Sequence, residues 1–181
     1  PDQSVDTQTL GTLDGSASSD PEGDLPLSYW WTQTGGPAVT LTRNLSVTTF
    51  TAPGSPTVLP FTLAVTDNLG QADLTPDTVV ITVNNQPPVA QDDSFTTTED
   101  VPLVEAAPGV LGNDADLDEG PSAIASTVQT GPAHGTLDLD ADGSFVYTPT
   151  LNWSGVDTFT YVVSDGALTD TAVVTLTVTP V

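Results

Sequence analysis

The short stretch "DPEGD" sets Asp20, Glu22 and Asp24 at every second position, with a proline and a glycine between them. The same spacing returns in "NDADLDEG" as Asp114, Asp116 and Asp118. Each group has a distal partner: Asp67 ends "FTLAVTD" and Asp165 ends "FTYVVSD". Calcium takes about six to eight oxygens at flexible geometry, so a site needs several carboxylates and backbone carbonyls gathered by turns. Without a cation, such clusters repel and raise one another's pKa. The plainer reading is that aspartate favours turns because it hydrogen-bonds its own backbone. Two clusters with matched distal partners favour calcium, with Asp14 and Ser16 as weaker additions.

Two look-alikes are set aside. "DADLDEG" starts like an EF-hand loop, but Glu119 stands where the sixth-position glycine is needed, and Ala125 at the twelfth cannot ligate. A further acidic turn, Asp138, Asp140 and Asp142, has no distal partner and reads as a hairpin turning on "DG".

Composition narrows the chemistry. The chain has 24 acidic residues against one basic residue, Arg43, for a formal net charge of -23. Nucleic acid is excluded as a partner, since displacing counterions from phosphates needs Lys or Arg. Cysteine is absent, so no disulfide forms, and absent lysine rules out Lys-to-Asn isopeptide staples. No apolar run approaches a membrane-spanning length, so membrane insertion is not expected. His134, in "GPAHGTL", is the one histidine, which leaves zinc without its usual ligands and makes a catalytic triad a poor reading. Catalysis is therefore not expected.

The elements that must position these carboxylates are strands. Thr, Val, Leu and Ala dominate, no long 3.6-residue apolar period occurs, and Gly/Pro/Asp/Asn turns punctuate the chain. "FTLAVTD" (61–67) and "FTYVVSD" (159–165) lie 98 residues apart, and each precedes an alternating segment, "DTVVITV" or "TAVVTLTV". The expectation is all-β: two tandem immunoglobulin-like, Greek-key β-sandwich domains, 1–87 and 88–181, joined by the short Pro-rich linker in "NNQPPVAQDD". Strands are expected near 7–13, 27–34, 38–42, 46–51, 58–66 and 78–83. In the second half they are expected near 94–98, 101–105, 124–130, 134–139, 143–148, 157–164 and 171–179.

Residues 1–87, with "LDGSASSDPEGDLPLSYWW" and the "VTD" strand end, resemble a polycystic-kidney-disease (PKD) or REJ-like domain of bacterial surface proteins. Residues 88–181, with "PPVAQDDSFTTTEDVPL", "VLGNDADLDEG" and "GPAHGTLDLDADGSFVYTPTLNWSGVDTFTYVVSDG", resemble a cadherin-like tandem repeat of large bacterial adhesins. The resemblance implies extracellular domains strung head to tail that commonly bind calcium. It places Glu99 and Asp100 near the same ion as Asp114, Asp116 and Asp118. It also makes Asn84, Asn85, Asp92 and Asp93 candidate ligands that fix one domain to the next.

Trp30 and Trp31 are neighbours on one expected strand, so one faces the core and the other solvent. An outward tryptophan could stack on a sugar, which makes a carbohydrate-binding accessory module the alternative function. Trp153 reads as a loop anchor. Asn44 and Asn152 fit the Asn-x-Ser glycosylation pattern, a short motif that also arises by chance. The start at Pro1 and the ending "TVTPV" read as a segment of a longer or processed chain. The expected function is a calcium-rigidified structural segment of an extracellular adhesin or surface filament, with neighbouring copies or further repeats as partners.

Overall fold

The computed structural model describes residues 2–23, 25–42, 45–73, 75–118 and 124–181. Asp24 and Asn44, singled out above, lie outside the described residues, as does Arg43. The chain divides into two compact units, Pro1–Asn85 and Gln86–Val181, each with its own core. Both are all-β, and no α-helix occurs among the described residues.

The first unit holds β1 (Gln3–Asp6), β2 (Leu10–Asp14), β3 (Ser28–Gln33), β4 (Val47–Thr51), β5 (Thr57–Thr66) and β6 (Asp77–Asn84). Its larger sheet runs β1-β6-β5-β3, with β1 parallel to β6 and the other pairs antiparallel. β2 and β4 form the facing pair. Alternation along β5 sends Leu59, Phe61 and Leu63 inward. There they meet Leu13 and Phe50 from the smaller sheet and Ile81 and Val83 from β6.

The second unit repeats the plan with β7 (Asp93–Thr98), β8 (Leu103–Glu105), β9 (Ala125–Thr130), β10 (Gly135–Leu139), β11 (Phe145–Pro149), β12 (Gly155–Ser164) and β13 (Thr169–Thr179). One sheet runs β7-β13-β12-β9, again with the first strand parallel to the last, and the other runs β10-β11-β8. Phe159, Tyr161 and Val163 occupy the inward positions that Phe61, Leu63 and Val65 hold in the matching repeat. Between the sheets they pack with Phe145, Tyr147, Val174 and Leu176.

Three expected strands change. The segment 7–13 is a turn followed by β2, with β1 standing ahead of it, because the chain leaves one sheet for the other at a turn closed by both the backbone and the hydroxyl of Thr9 on the Asp6 carbonyl. Residues 38–42 form no strand. The Gln33 amide holds the turn leading into them, accepting from the Val39 N–H at 3.0 Å and donating to the Gly35 and Pro37 carbonyls at 2.8 and 2.6 Å. The expected strand at 101–105 shortens to β8, and a single 3-10 turn at Gly109–Leu111 was not expected.

Candidate metal centre

In the first unit, Asp20, Glu22 and Asp67 line one open hollow of about 490 Å³, joined by Asp73 and Asp77. Two of the expected ligands there, Asp20 and Asp67, also serve their own turns. Asp20 Oδ1 accepts from the Glu22 and Gly23 N–H groups at 2.7 and 3.0 Å, and Asp67 Oδ1 accepts from Leu69 and Gln71 at 2.8 Å. Asp14 lines a neighbouring hollow, and the Ser16 hydroxyl and N–H hold its carboxyl below the usual range. The turn chemistry that competed with the metal reading is thus present at these aspartates.

The second unit buries its carboxylates more deeply. Asp114, Asp116 and Asp118 are all buried, an unusual state for carboxylates in a loop. Asp114 Oδ1 accepts from the Gln91 N–H at 2.7 Å and its Oδ2 lies 3.0 Å from the Tyr161 hydroxyl. That hydroxyl, with one proton to give, also lies 3.1 Å from Asp93 Oδ2, 2.9 Å from the Val110 carbonyl and 3.2 Å from the Gln91 carbonyl. Burial pushes the Asp93 carboxyl up to about 6, with the Asp114 charge adding to it. Burial likewise raises Asp114, against the hydrogen bonds from Gln91 and Tyr161, and burial with the two neighbouring carboxylates pushes the Tyr161 phenol up.

Two residues further along, the donors run out. Asp116 Oδ1 accepts the Asp118 N–H at 2.8 Å, and Asp118 Oδ2 accepts the Gln86 N–H. Asp116 Oδ2 has no hydrogen-bond partner although the residue is only 5% exposed. The one other such side-chain atom among the described residues is the hydroxyl oxygen of Thr160. A buried carboxylate oxygen without a donor costs about 1–3 kcal/mol or more unless a cation answers it. Among the described residues, no group of three or more His, Cys, Asp or Glu side chains stands ready to hold a metal.

The remaining expected ligands separate. Asp165 closes the turn after β12, its Oδ1 accepting from Ala167 and Leu168 at 2.6 Å. Glu99 and Asp100 stand at the far end of β7 from Asp93. There Glu99 Oε1 accepts the Val181 N–H and Asp100 Oδ1 the Asn152 N–H, each at 2.8 Å. The expectation that they share an ion with the Asp114 loop is corrected by the length of β7, about 20 Å at strand rise. Asp92 Oδ1 accepts the Val173 N–H, and Asn84 donates to Asp6 within the first unit.

Two buried or bracing carboxylates escaped the sequence reading. Asp157 lies inside the second core, where burial opposes its charge. Hydrogen bonds from the Ala133, His134 and Thr158 N–H groups and the Tyr147 hydroxyl nevertheless hold its carboxyl below the usual range. A signal existed: Asp157 falls at an inward position between Val156 and Phe159 on an alternating strand. Asp170 accepts from Ala90 at 3.0 Å and from its neighbour Thr171, which lowers its carboxyl too. His134 stacks flat on Trp153, ring centroids 4.3 Å apart.

Two immunoglobulin-like sandwiches with acidic loops define an adhesion-type structural module. Residues 1–83 match the K319L-like PKD domain, and residues 85–180 match the bacterial cadherin-like domain. The chain belongs to the bacterial cadherin-like family, with a PKD domain ahead of the cadherin-like one. Domains of this family are extracellular, and no helix is long and apolar enough to cross a membrane among the described residues. No curated protein matches the chain at a significant level.

Among solved structures, human protocadherin-24 EC1-2 is 15% identical with a TM-score of 0.43, over 98% of this chain and 94% of that one. The endo-fucoidan hydrolase MfFcnA4 of glycoside hydrolase family 107 is 21% identical with a TM-score of 0.42, over 97% of this chain and 27% of that one. The PKD domain from KIAA 1837 protein is 34% identical with a TM-score of 0.38, over 48% of this chain and 85% of that one. The chain thus spans less than a third of the length of the fucoidan hydrolases it is similar to.

Proposed function

We propose that this chain is a non-enzymatic structural segment of an extracellular adhesin or surface filament, and that calcium stiffens the acidic loop of its cadherin-like domain. The observation that carries the reading is Asp116 Oδ2, a buried oxygen without a donor, in a loop whose Asp118 is equally buried. Every side-chain donor in that loop is an oxygen, which fits a hard cation and not zinc or copper. Asp116 and Asp118 would hold the ion, with backbone carbonyls and water completing its shell. Asp93 and Asp114, braced on Tyr161, would hold the loop against the sandwich without touching the metal. Further repeats or neighbouring copies of the chain are its partners in this reading.

Binding the folded state alone, calcium adds about 2.7 kcal/mol of stability at a hundredfold excess over its Kd. Titration with calcium, followed by calorimetry in calcium and in EDTA at fixed ionic strength, tests this. The expected result is a higher unfolding temperature for the cadherin-like domain in calcium, and an affinity at least about tenfold weaker in Asp116→Asn. Superimposable unfolding curves in the two buffers would sink the calcium reading and leave the aspartates as turn formers.

A further inference from the structure

We propose that the PKD domain binds a neutral polysaccharide in the groove along the open edge of β3, with the indole of Trp30 as its stacking platform. This goes beyond the calcium reading and stands apart from it, since the two involve different units of the chain.

β3 is an edge strand: β5 pairs with it on one side, and among the described residues no strand pairs with it on the other. Along that open side runs a groove of about 590 Å³, within the range of small-ligand sites. Trp30 stands at its rim, 55% exposed, with only the small Ala64 opposite it on β5. A large aromatic ring held on a sheet face beside a groove offers a ligand a wide apolar surface to cover. Trp31 points the other way, packs on the core and donates its Nε1–H to the Leu45 carbonyl at 3.3 Å.

The far wall, residues 39–41, is anchored through the Val39 N–H and through the packing of Val39 and Leu41 on the core. The Gln33 amide ties the 35–39 segment to the end of β3 through three hydrogen bonds. A groove already held in shape loses less entropy on binding. Thr32 and Thr40 offer hydroxyls, and the unpaired edge of β3 offers backbone donors and acceptors. A ring face beside such polar groups matches a pyranose, which has an apolar C–H face and a rim of hydroxyls.

Charge selects among sugars. The lining contains no acidic or basic side chain among the described residues, whereas the hollow on the same domain carries Asp20, Glu22, Asp67, Asp73 and Asp77. A polyanionic glycan would approach a chain of net charge -23 and find no cation in the groove to receive it. A neutral chain meets neither obstacle.

The test uses the 181-residue chain and hexasaccharides of cellulose, chitin, xylan and mannan, with hexagalacturonate as the anionic contrast, read by calorimetry and by indole N–H chemical shifts. At least one neutral hexasaccharide should bind and shift the Trp30 indole, and Trp30→Ala should weaken it roughly tenfold or more at unchanged melting temperature. Trp30→Phe should recover part of the affinity, and Trp153→Phe should leave it unchanged. The proposal fails if no neutral hexasaccharide binds, if Trp30→Ala binds as well as the parent, or if hexagalacturonate binds equally. It also fails if protein concentration alone moves the Trp30 signal, because the occupant would then be a second copy of the chain.

Discussion

Two carboxylates of the cadherin-like domain differ because of what donates to them. Asp157 receives three backbone N–H groups and a phenol, so its charged form is favoured in the fold; its stabilising contribution is present above the unfolded pKa and is lost as pH falls through the lower folded value. Asp93 shares one phenolic proton with Asp114, and burial raises it to about 6. The sign is then opposite: the folded state holds the proton more tightly, so this group's contribution is full below about pH 4 and is lost as pH rises through about 6. Asp93→Asn should therefore remove that decline and stabilise the domain at pH 7 by about 1–2 kcal/mol, a figure reduced for the partial exposure of the group. Urea unfolding in EDTA from pH 4 to 8 checks this. A parent and variant with the same pH slope would show that Asp93 ionises freely in the fold.

At the scale of elements, the repeated "FTLAVTD" and "FTYVVSD" were readable because period-2 alternation needs no distant information: the alternation alone sends Phe61 and Phe159 inward. The 7–9 turn was not readable, since only pairing partners far along the chain, β6 for one strand and β4 for the next, split that segment. The same holds for the site. The acidic triplet in 114–118 was visible as a spacing, but adjacency in sequence could not reveal that β7 carries Glu99 and Asp100 away from it. The contact of Gly109 with Gly143 was equally hidden. Gly143 adopts a left-handed φ of 87°, and a Cβ there would lie 2.0 Å from the Pro108 carbonyl oxygen. That nearest atom is backbone and cannot yield as a flexible side chain would. Gly143→Ala should destabilise the cadherin-like domain by about 2–4 kcal/mol, combining strain with displacement of the β10–β11 turn from the 3-10 turn. Chemical denaturation measures it; a loss below about 0.5 kcal/mol would mean the turn relaxes freely.

For the whole molecule, charge and metal must be told apart, because both bear on a chain of net charge -23. The carboxylates sit chiefly in loops and strand ends, while the outer face of the β7-β13-β12-β9 sheet is paved with uncharged side chains such as Thr158, Thr160, Thr175 and Thr177. Repulsion is therefore concentrated in the loops, and sodium chloride should relieve it in both units by shortening the Debye length from about 30 Å at 0.01 M to about 10 Å at 0.1 M. Two separate cores predict two unfolding transitions. In EDTA, added sodium chloride should raise the midpoints of both. Calcium exchanged for sodium at constant ionic strength should instead raise the cadherin-like transition further, because among the described residues a buried carboxylate oxygen without a hydrogen-bond partner occurs in that unit alone. Asp116→Asn should abolish the calcium increment and keep the sodium one. If calcium moves both transitions equally and Asp116→Asn leaves both responses intact, the ion acts as a screening cation and the acidic loop owes its order to hydrogen bonds alone.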